Sequence, residues 1–278
     1  MIRILTDSSA SFSLEYAAKM NVEMVFLPIS FDGKEYLDIK ELSHEQFYVE
    51  LKNAKNLPKT SAVNQTAFEE VFKDVKEKGD EMIVMPISNG ISATTGQAIA
   101  AKEAVGYDKI HIVDTRCVAM ALSGLVMQAV RLRNEKKNVQ EIIAELERLA
   151  PKAKLYACLD TLKYLRAGGR ISGTSAVVGT LLGIKPIAGL NAEGKVTSFH
   201  KTIGMRKAHD WVMEKLKNAD PDLPIYYGFS DAKEVCEKFK ERVMQAYPDL
   251  KDGGDWNMPA TISVHSGPGA TGLAFFEK

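Results

Sequence analysis

Through its first 150 residues this chain repeats one pattern, a short apolar run followed by a longer stretch with helical periodicity. Residues 2–5, 22–31, 82–86 and 110–113 are runs of the strand type. Residues 13–20, 92–105, 117–133 and 138–149 carry the spacing of helices. Two further helices are marked by their starts. Ser43 with Gln46 makes a capping-box pattern before a helix that ends near Asn53, and Asn64 caps one that runs to Lys78 and stops at Gly79. Short apolar strands alternating with helices predict an α/β fold: a parallel, Rossmann-like, doubly wound sheet with helices on both faces.

Pro151 marks a change of pattern. Residues 154–159 read as a strand leading into the loop 166–172, and residues 184–190 and 195–200 as a hairpin around 191–194. A helix at 206–216, a strand at 225–229, a helix at 232–247 and a strand at 261–265 complete this half, which is mixed α/β. A length of 278 residues accommodates two ordinary domains. The expected division is 1–151 for an N-terminal α/β domain and 152–278 for a C-terminal one, with a ligand between them.

Lysine plus arginine, 36, equal aspartate plus glutamate, 36, and no basic stripe stands out, so no nucleic-acid partner is expected. Cys117, Cys158 and Cys236 are far apart and form neither a CxxC pair nor a zinc spacing, and read as buried thiols in a reducing compartment. The first residues, MIRILTDSS, turn polar after one short apolar run and do not make a signal peptide. The longest apolar stretch, residues 117–132, is interrupted by Ser123, Gly124 and Gln128, which suits a packed helix rather than a bilayer span. The expectation is a cytoplasmic protein without integral membrane association, making at most transient contact with a membrane surface.

Three clusters of small hydroxyl and glycine residues stand after apolar runs: TDSSAS at 6–11, SNGISATTG at 88–96 and HSGPGATG at 265–272. Strand ends are where α/β sheets bind ligands, and N–H groups, hydroxyls and an imidazole there suit an anion. The machinery for turning an anion over is harder to find. GPGATG matches GxGxxG through Gly267, Gly269 and Gly272, but six residues follow Gly272, too few for a βαβ unit. Its glycines still permit a nest of N–H groups. Residues 189–195 resemble a P-loop, but Val196 stands where the Mg²⁺-ligating hydroxyl belongs and no helix follows, so a hairpin turn is the better reading. Asp7 and Asp114 end strands, where capping the next helix is commoner than holding Mg²⁺. His44, His111, His200 and His209 read as surface or packed residues, whereas His265 ends a strand and opens the glycine loop. Ser92 and Thr94 begin a helix just after Gly90, which suits either N-capping or an anion at the helix's positive end. A nucleophile elbow would read GxSxG, and Thr94 occupies its last position. Thr60 and Ser61 follow Pro58 in a hydroxyl-bearing loop between two helices.

Taken in order, these segments resemble the DegV family of fatty-acid-binding proteins over essentially the whole chain. TDSSAS is similar to that family's opening strand and turn, PKTS at 58–61 to its Thr-Ser loop, and SNGISATTG to its Ser-x-Gly-x-Ser segment. DTRCVAMALSG, LDTLKYLRAGGRIS, GIKPI and HSGPGATG follow in the family's order. The resemblance implies two α/β domains with one long-chain fatty acid, such as palmitate, stearate or oleate, buried between them, and neither cofactor nor metal. It assigns the carboxylate to Thr60, Ser61, Ser92 and His265, with Gly90, Arg206 and Gly267 in the head-group vicinity. It implies a non-catalytic partner of a separate ATP-dependent fatty acid kinase that makes an acyl phosphate, with Arg170 facing that partner. The chain departs from the family pattern in Ala62-Val63 where Gln-Pro is usual, in Ala93 where a glycine follows Ser92, and in Ile203 where several members carry an arginine. Arg206 is the nearest basic substitute.

A fatty acid suits this inventory. Burying a methylene is worth about 0.8 kcal/mol, so a sixteen-carbon tail gains roughly 10–12 kcal/mol gross, against an association cost of roughly 4 kcal/mol or more. The acidic end must keep its hydrogen bonds once out of water, and hydroxyls, N–H groups and an imidazole supply them. Two alternatives remain open at this level: a serine hydrolase acting on lipid esters through Ser92, His265 and an aspartate such as Asp114, and a carrier of another amphipathic anion such as a polyisoprenoid or phospholipid.

Overall fold

Two β-sheets share one buried helix. The computed structural model describes residues 1–171 and 183–278. In the first half of the chain these run β1 (Ile2–Asp7), α1 (Leu14–Lys19), β2 (Glu23–Val25), β3 (Pro28–Phe31), β4 (Lys34–Leu37), α2 (His44–Asn53), β5 (Lys59–Thr60), α3 (Gln65–Glu77), β6 (Glu81–Met85), α4 (Thr94–Val105), β7 (Ile110–Ile112), α5 (Ala119–Asn134) and α6 (Val139–Leu149). The second half contributes β8 (Ala153–Cys158), α7 (Lys163–Ala167), β9 (Ile184–Leu190), β10 (Val196–Ile203), α8 (Met205–Lys215), β11 (Ile225–Ser230), α9 (Lys233–Ala246), β12 (Asp252–Asn257), α10 (Ala260–Ser266) and β13 (Ala270–Phe276).

The expected parallel sheet is there, in the order β2-β1-β6-β7. Its strands are apolar on both faces because both are covered. Leu5, Met82 and Val84 pack with Phe68 and Phe72 of α3 and Ala98 and Ala101 of α4. Their sequence neighbours Ile4, Ile83 and Met85 pack with α5 and α6. The second sheet is mixed, in the order β10-β9-β8-β13-β11-β12, with only the β11–β12 pair parallel. One of its faces carries α8 and α9, through Val212 and Phe239. The other sets Leu155, Tyr226, Ala274 and Phe276 against α5. A helix with a sheet on either side has no solvent face, which is why α5 is apolar nearly all round. Its Gly124 admits the rings of Tyr226 and Phe276, which a Cβ there would meet at 3.0–3.2 Å.

Three sequence expectations change. The run 22–31 is two strands in two sheets. The Leu27 N–H goes to Ser8 Oγ (3.1 Å), its carbonyl accepts from Asp38 N (3.0 Å), and Pro28 has no N–H to continue a ladder. β3 turns away into a small antiparallel sheet, β4-β3-β5. The second change is larger: residues 261–265, expected as a strand, lie in the helix α10, so the glycine loop follows a helix. Pro259 and a buried carboxylate start that helix, and β13 occupies the place beside β11. Third, the capping box at Ser43 is half made. Gln46 N donates to Ser43 Oγ (3.2 Å), but that hydroxyl donates to Glu45, whereas Asn138 and Glu141 form a complete box. Among the described residues no helix is long and apolar enough to cross a membrane.

Candidate functional site

The largest of these departures, α10, helps to wall the cavity that lies between the two sheets. The cavity measures ≈ 110 Å³. Ile87, Ile91 and Val118 line it from the first half of the chain, and Leu155, Ala188 and Leu190 from the second. Leu155 and Ala157 face it because they alternate with Tyr156 and Cys158, which point into the core beneath α8 and α9.

The cavity is mostly apolar, and five of the expected residues, Thr60, Ser61, Ser92, His265 and Arg170, are among its polar lining. Each is held by its local structure. β5 pairs with β3, and Ser61 N donates to Pro28 O (3.0 Å), so the Thr-Ser loop is strapped to the small sheet. Ser92 ends the turn after β6, one residue before the N-cap of α4. Its hydroxyl accepts from Thr94 N (3.3 Å) and shares a hydrogen with Thr94 Oγ1 (2.9 Å), next to the positive end of the α4 dipole. Arg170 follows α7 and the left-handed Gly169. It reaches across to the Ser92 turn, Nε donating to Ile91 O (3.3 Å) and Nη1 to Gly168 O (2.6 Å).

His265 sits on the last turn of α10. Its Nε2 and Thr60 Oγ1 are 2.8 Å apart, while Nδ1 is buried with no hydrogen-bond partner among the described residues. Gly168 lies against that nitrogen, where a Cβ would come within 2.2 Å. Burial, and then the positive charge of Arg170, push the imidazole down to about 4, so it is neutral at pH 7. A neutral imidazole offers one donor and one acceptor, and suits a hydrogen bond to a head group better than a fixed ion pair. Thr60, Arg170 and His265 also line a second recess, of ≈ 260 Å³, with Pro58, Lys59 and Tyr164. These three side chains are therefore shared by the cavity and the recess, whereas Ser61 and Ser92 line the cavity alone.

Three expected residues do not join. Gly90 admits the β9–β10 turn, whose Gly194 carbonyl a Cβ would meet at 2.8 Å, and beside it Ser88 Oγ donates to Gly194 O (2.9 Å). Gly267 (φ 74°) packs on the Tyr164 ring. The N–H groups of Gly267 and Gly269 are taken by Ser263 O (2.9 Å) and Ser230 O (2.7 Å), so neither is offered to an anion. Arg206 is exposed at the start of α8, and α8 covers the other face of the six-stranded sheet from the one that lines the cavity. Ile203 is likewise exposed, at 70%. Of the AGGRIS segment, Ser172 lies outside the described residues.

Asp7 is buried and caps the turn that follows β1. Its carboxylate accepts from Ser9 N (2.9 Å), from the Ser9 hydroxyl, and from Ile87 N (2.6 Å). Asp114 is exposed and accepts from Arg116 N (3.2 Å). With Ser92 bonded to Thr94 and His265 to Thr60, no Ser92–His265–Asp114 hydrogen-bonded chain forms among the described residues. Thr261 and Ser266 also line the cavity; the sequence reading took Thr261 for part of a strand and had Ser266 in the glycine cluster without singling it out. Among the described residues no group of three or more His, Cys, Asp or Glu side chains is placed to hold a metal.

The DegV family model, described as an uncharacterised protein family, matches residues 1–278, and this chain belongs to the DegV family. A DegV domain-containing protein of Deinococcus radiodurans is 32% identical over 283 residues, covering 98% of this chain and 97% of that one. Two solved structures superpose with a TM-score of 0.91 at 25% identity, each covering 100% of this chain and 99% of its own. One is a fatty-acid-binding DegV family protein from Thermus thermophilus, the other a stearic acid-binding protein from Eubacterium ventriosum.

Proposed function

We propose that this protein binds one long-chain fatty acid, with the tail in the cavity between the sheets and the carboxylate at Thr60, Ser61, Ser92 and His265. The observation that carries this reading is the polar cluster where the apolar cavity meets the second recess. An aliphatic tail gains from the apolar walls, and hydroxyls with a neutral imidazole supply the hydrogen bonds that the acidic end needs out of water. The Thermus thermophilus and Eubacterium ventriosum proteins, which share the fold over its whole length, support the same ligand class. On this reading residues 1–151 and 152–278 form two lobes that close on the acid. The ligand is of the palmitate, stearate or oleate type, and the protein works in the cytoplasm as a carrier without turnover. Native mass spectrometry of the purified protein tests it: a bound acid, or uptake of added oleate or palmitate after delipidation, is expected. Neither lipid nor uptake would overturn the proposal.

We further propose that the carrier presents its acid to a separate ATP-dependent kinase, through the recess where Arg170 and Lys59 stand beside the head group. Arg170→Ala is expected to lower acyl-phosphate formation with such a kinase at least tenfold while oleate affinity changes by less than about threefold. Unchanged kinase kinetics would remove Arg170 from that role.

A further inference from the structure

Three cavity-lining polar side chains, Thr261, His265 and Ser266, sit on α10, which has only seven residues. A helix that short, carrying Thr, Ile and Val, has little stability of its own. Its start is held from the other half of the chain. The N–H groups of Ala260 and Thr261 donate to the Asp38 carboxylate at 3.0 and 3.2 Å, and the Thr261 hydroxyl donates to it as well. Asp38 follows β4 and is 0% exposed. Its own N–H is fixed to Leu27 O (3.0 Å), and the next residue, Ile39, has φ 66°, a region that β-branched side chains avoid. The backbone accepts strain where it turns this carboxylate inward.

A charged group is a costly means to this end. Burial pushes Asp38 up to about 6 against the hydrogen bonds that pull it down, so near neutral pH its ionisation opposes folding. An asparagine of the same shape would avoid that cost. The ionised carboxylate has acceptor capacity for all three donors on both of its oxygens and a negative charge beneath the first turn of α10, and an amide side chain, with one acceptor oxygen and no charge, has neither. We propose that Asp38 is a positioning residue of the fatty-acid site, seating α10 so that Thr261 and His265 face the acid. This rests on the binding reading above.

The ionisable groups on the elements around Asp38 include Asp7 at the end of β1, Lys34 and Glu35 on β4, Lys40 and Glu41 just after it, His44, Glu45, Tyr48, Glu50 and Lys52 on α2, and His265 on α10; the lysines, Glu35, Glu41 and Glu45 are exposed to solvent. Among the described residues none of them makes a hydrogen bond or ion pair with Asp38: its carboxylate is met by Ala260 and Thr261, while Asp7 bonds to Ser9 and Ile87 and His265 to Thr60. As pH falls through about 6, Asp38 takes up a proton, loses acceptor capacity, and the seat of α10 loosens. Stability moves the other way. A carboxyl whose folded pKa lies above its unfolded value favours the fold increasingly as pH falls from the folded value toward the unfolded one. A purely structural residue would move binding and stability together.

Oleate affinity and melting temperature of the delipidated full chain, measured for wild type, Asp38→Asn, Asp38→Glu and the remote core variant Val75→Ala, separate the two. Asp38→Asn is expected to weaken oleate binding about tenfold or more near pH 7.5. The ratio of variant to wild-type dissociation constants should close toward one near pH 5, where both side chains are neutral. His265 and the acid titrate in both proteins and cancel in that ratio. Asp38→Glu should recover part of the affinity, and Val75→Ala should lose stability and keep affinity. Equal oleate affinity of Asp38→Asn and wild type at both pH values, or an equal loss in Val75→Ala, would overturn the inference. If Asp38→Asn does not fold, Asp38→Glu carries the comparison: lowered affinity supports the inference and wild-type affinity overturns it. If wild type takes up no oleate at all, the binding reading fails and this one with it.

Discussion

His209 is buried and His265 half-buried, and both are held well below the ordinary imidazole range, at about 4, chiefly by desolvation. Each has a threonine hydroxyl 2.8 Å from Nε2. What surrounds them differs. His209, on α8, stacks on Phe239 with ring centroids 3.9 Å apart and planes 11° apart, inside the core between α8, α9 and the six-stranded sheet. His265 faces the cavity, and its second nitrogen has no partner among the described residues. A lowered pKa therefore marks burial in both and function in neither. The neighbouring cavity distinguishes the ring that lines a pocket from the ring that is packed in the core.

Crossed substitution gives the largest effects and is the most direct way to break this contrast. His209→Ala removes a stacked ring and strands the Thr271 hydroxyl, so it is expected to cost about 2–4 kcal/mol of stability and to leave oleate affinity unchanged in the folded protein. His265→Ala is expected to weaken oleate binding about ten- to a hundredfold and to change stability by no more than about 1 kcal/mol. Denaturant melts and oleate titrations of both variants check this. The contrast is lost if His265→Ala proves the more destabilising, or if His209→Ala carries the binding defect.

The same contrast shows how far the sequence could be read. The parallel sheet and its helices were legible because their strands are apolar on both faces and their helices announce themselves with Asn64 and Asn138 caps. Ser92 and the Thr60–Ser61 pair were legible as hydroxyls in short turns after strand or helix signals. α10 was not. Its β-branched residues favour a strand, and what starts it as a helix is a carboxylate 222 residues away in sequence, which no local pattern reveals. With the helix, Thr261 was lost from the list of polar residues at the cavity. Arg206 failed for a related reason: which face of a sheet a helix covers is decided by tertiary packing. β12, with the sequence DGGDWN, escaped notice because it lacks the alternation of an edge strand and is held by its parallel partner β11.

A titration of the two imidazoles by NMR, with and without oleate, tests the smallest and sharpest expected difference. In the delipidated protein both rings should stay neutral as pH falls below 6.5, so folding stability is lost progressively from there toward about 4 as the unfolded chain takes up protons that the native state refuses. Oleate changes this for one of them. A carboxylate within about 4–6 Å of an imidazole favours the charged form, so loading should raise the pKa of His265 by about one unit or more and protect the fold against mild acid. His209 lies under the other face of the sheet, beside Arg242 and Asp210, and its titration should not move. If oleate shifts both rings equally, the acid acts through the fold as a whole. If it shifts neither, its carboxylate lies away from His265, and the polar cluster of Thr60, Ser92 and His265 is not where the head group rests.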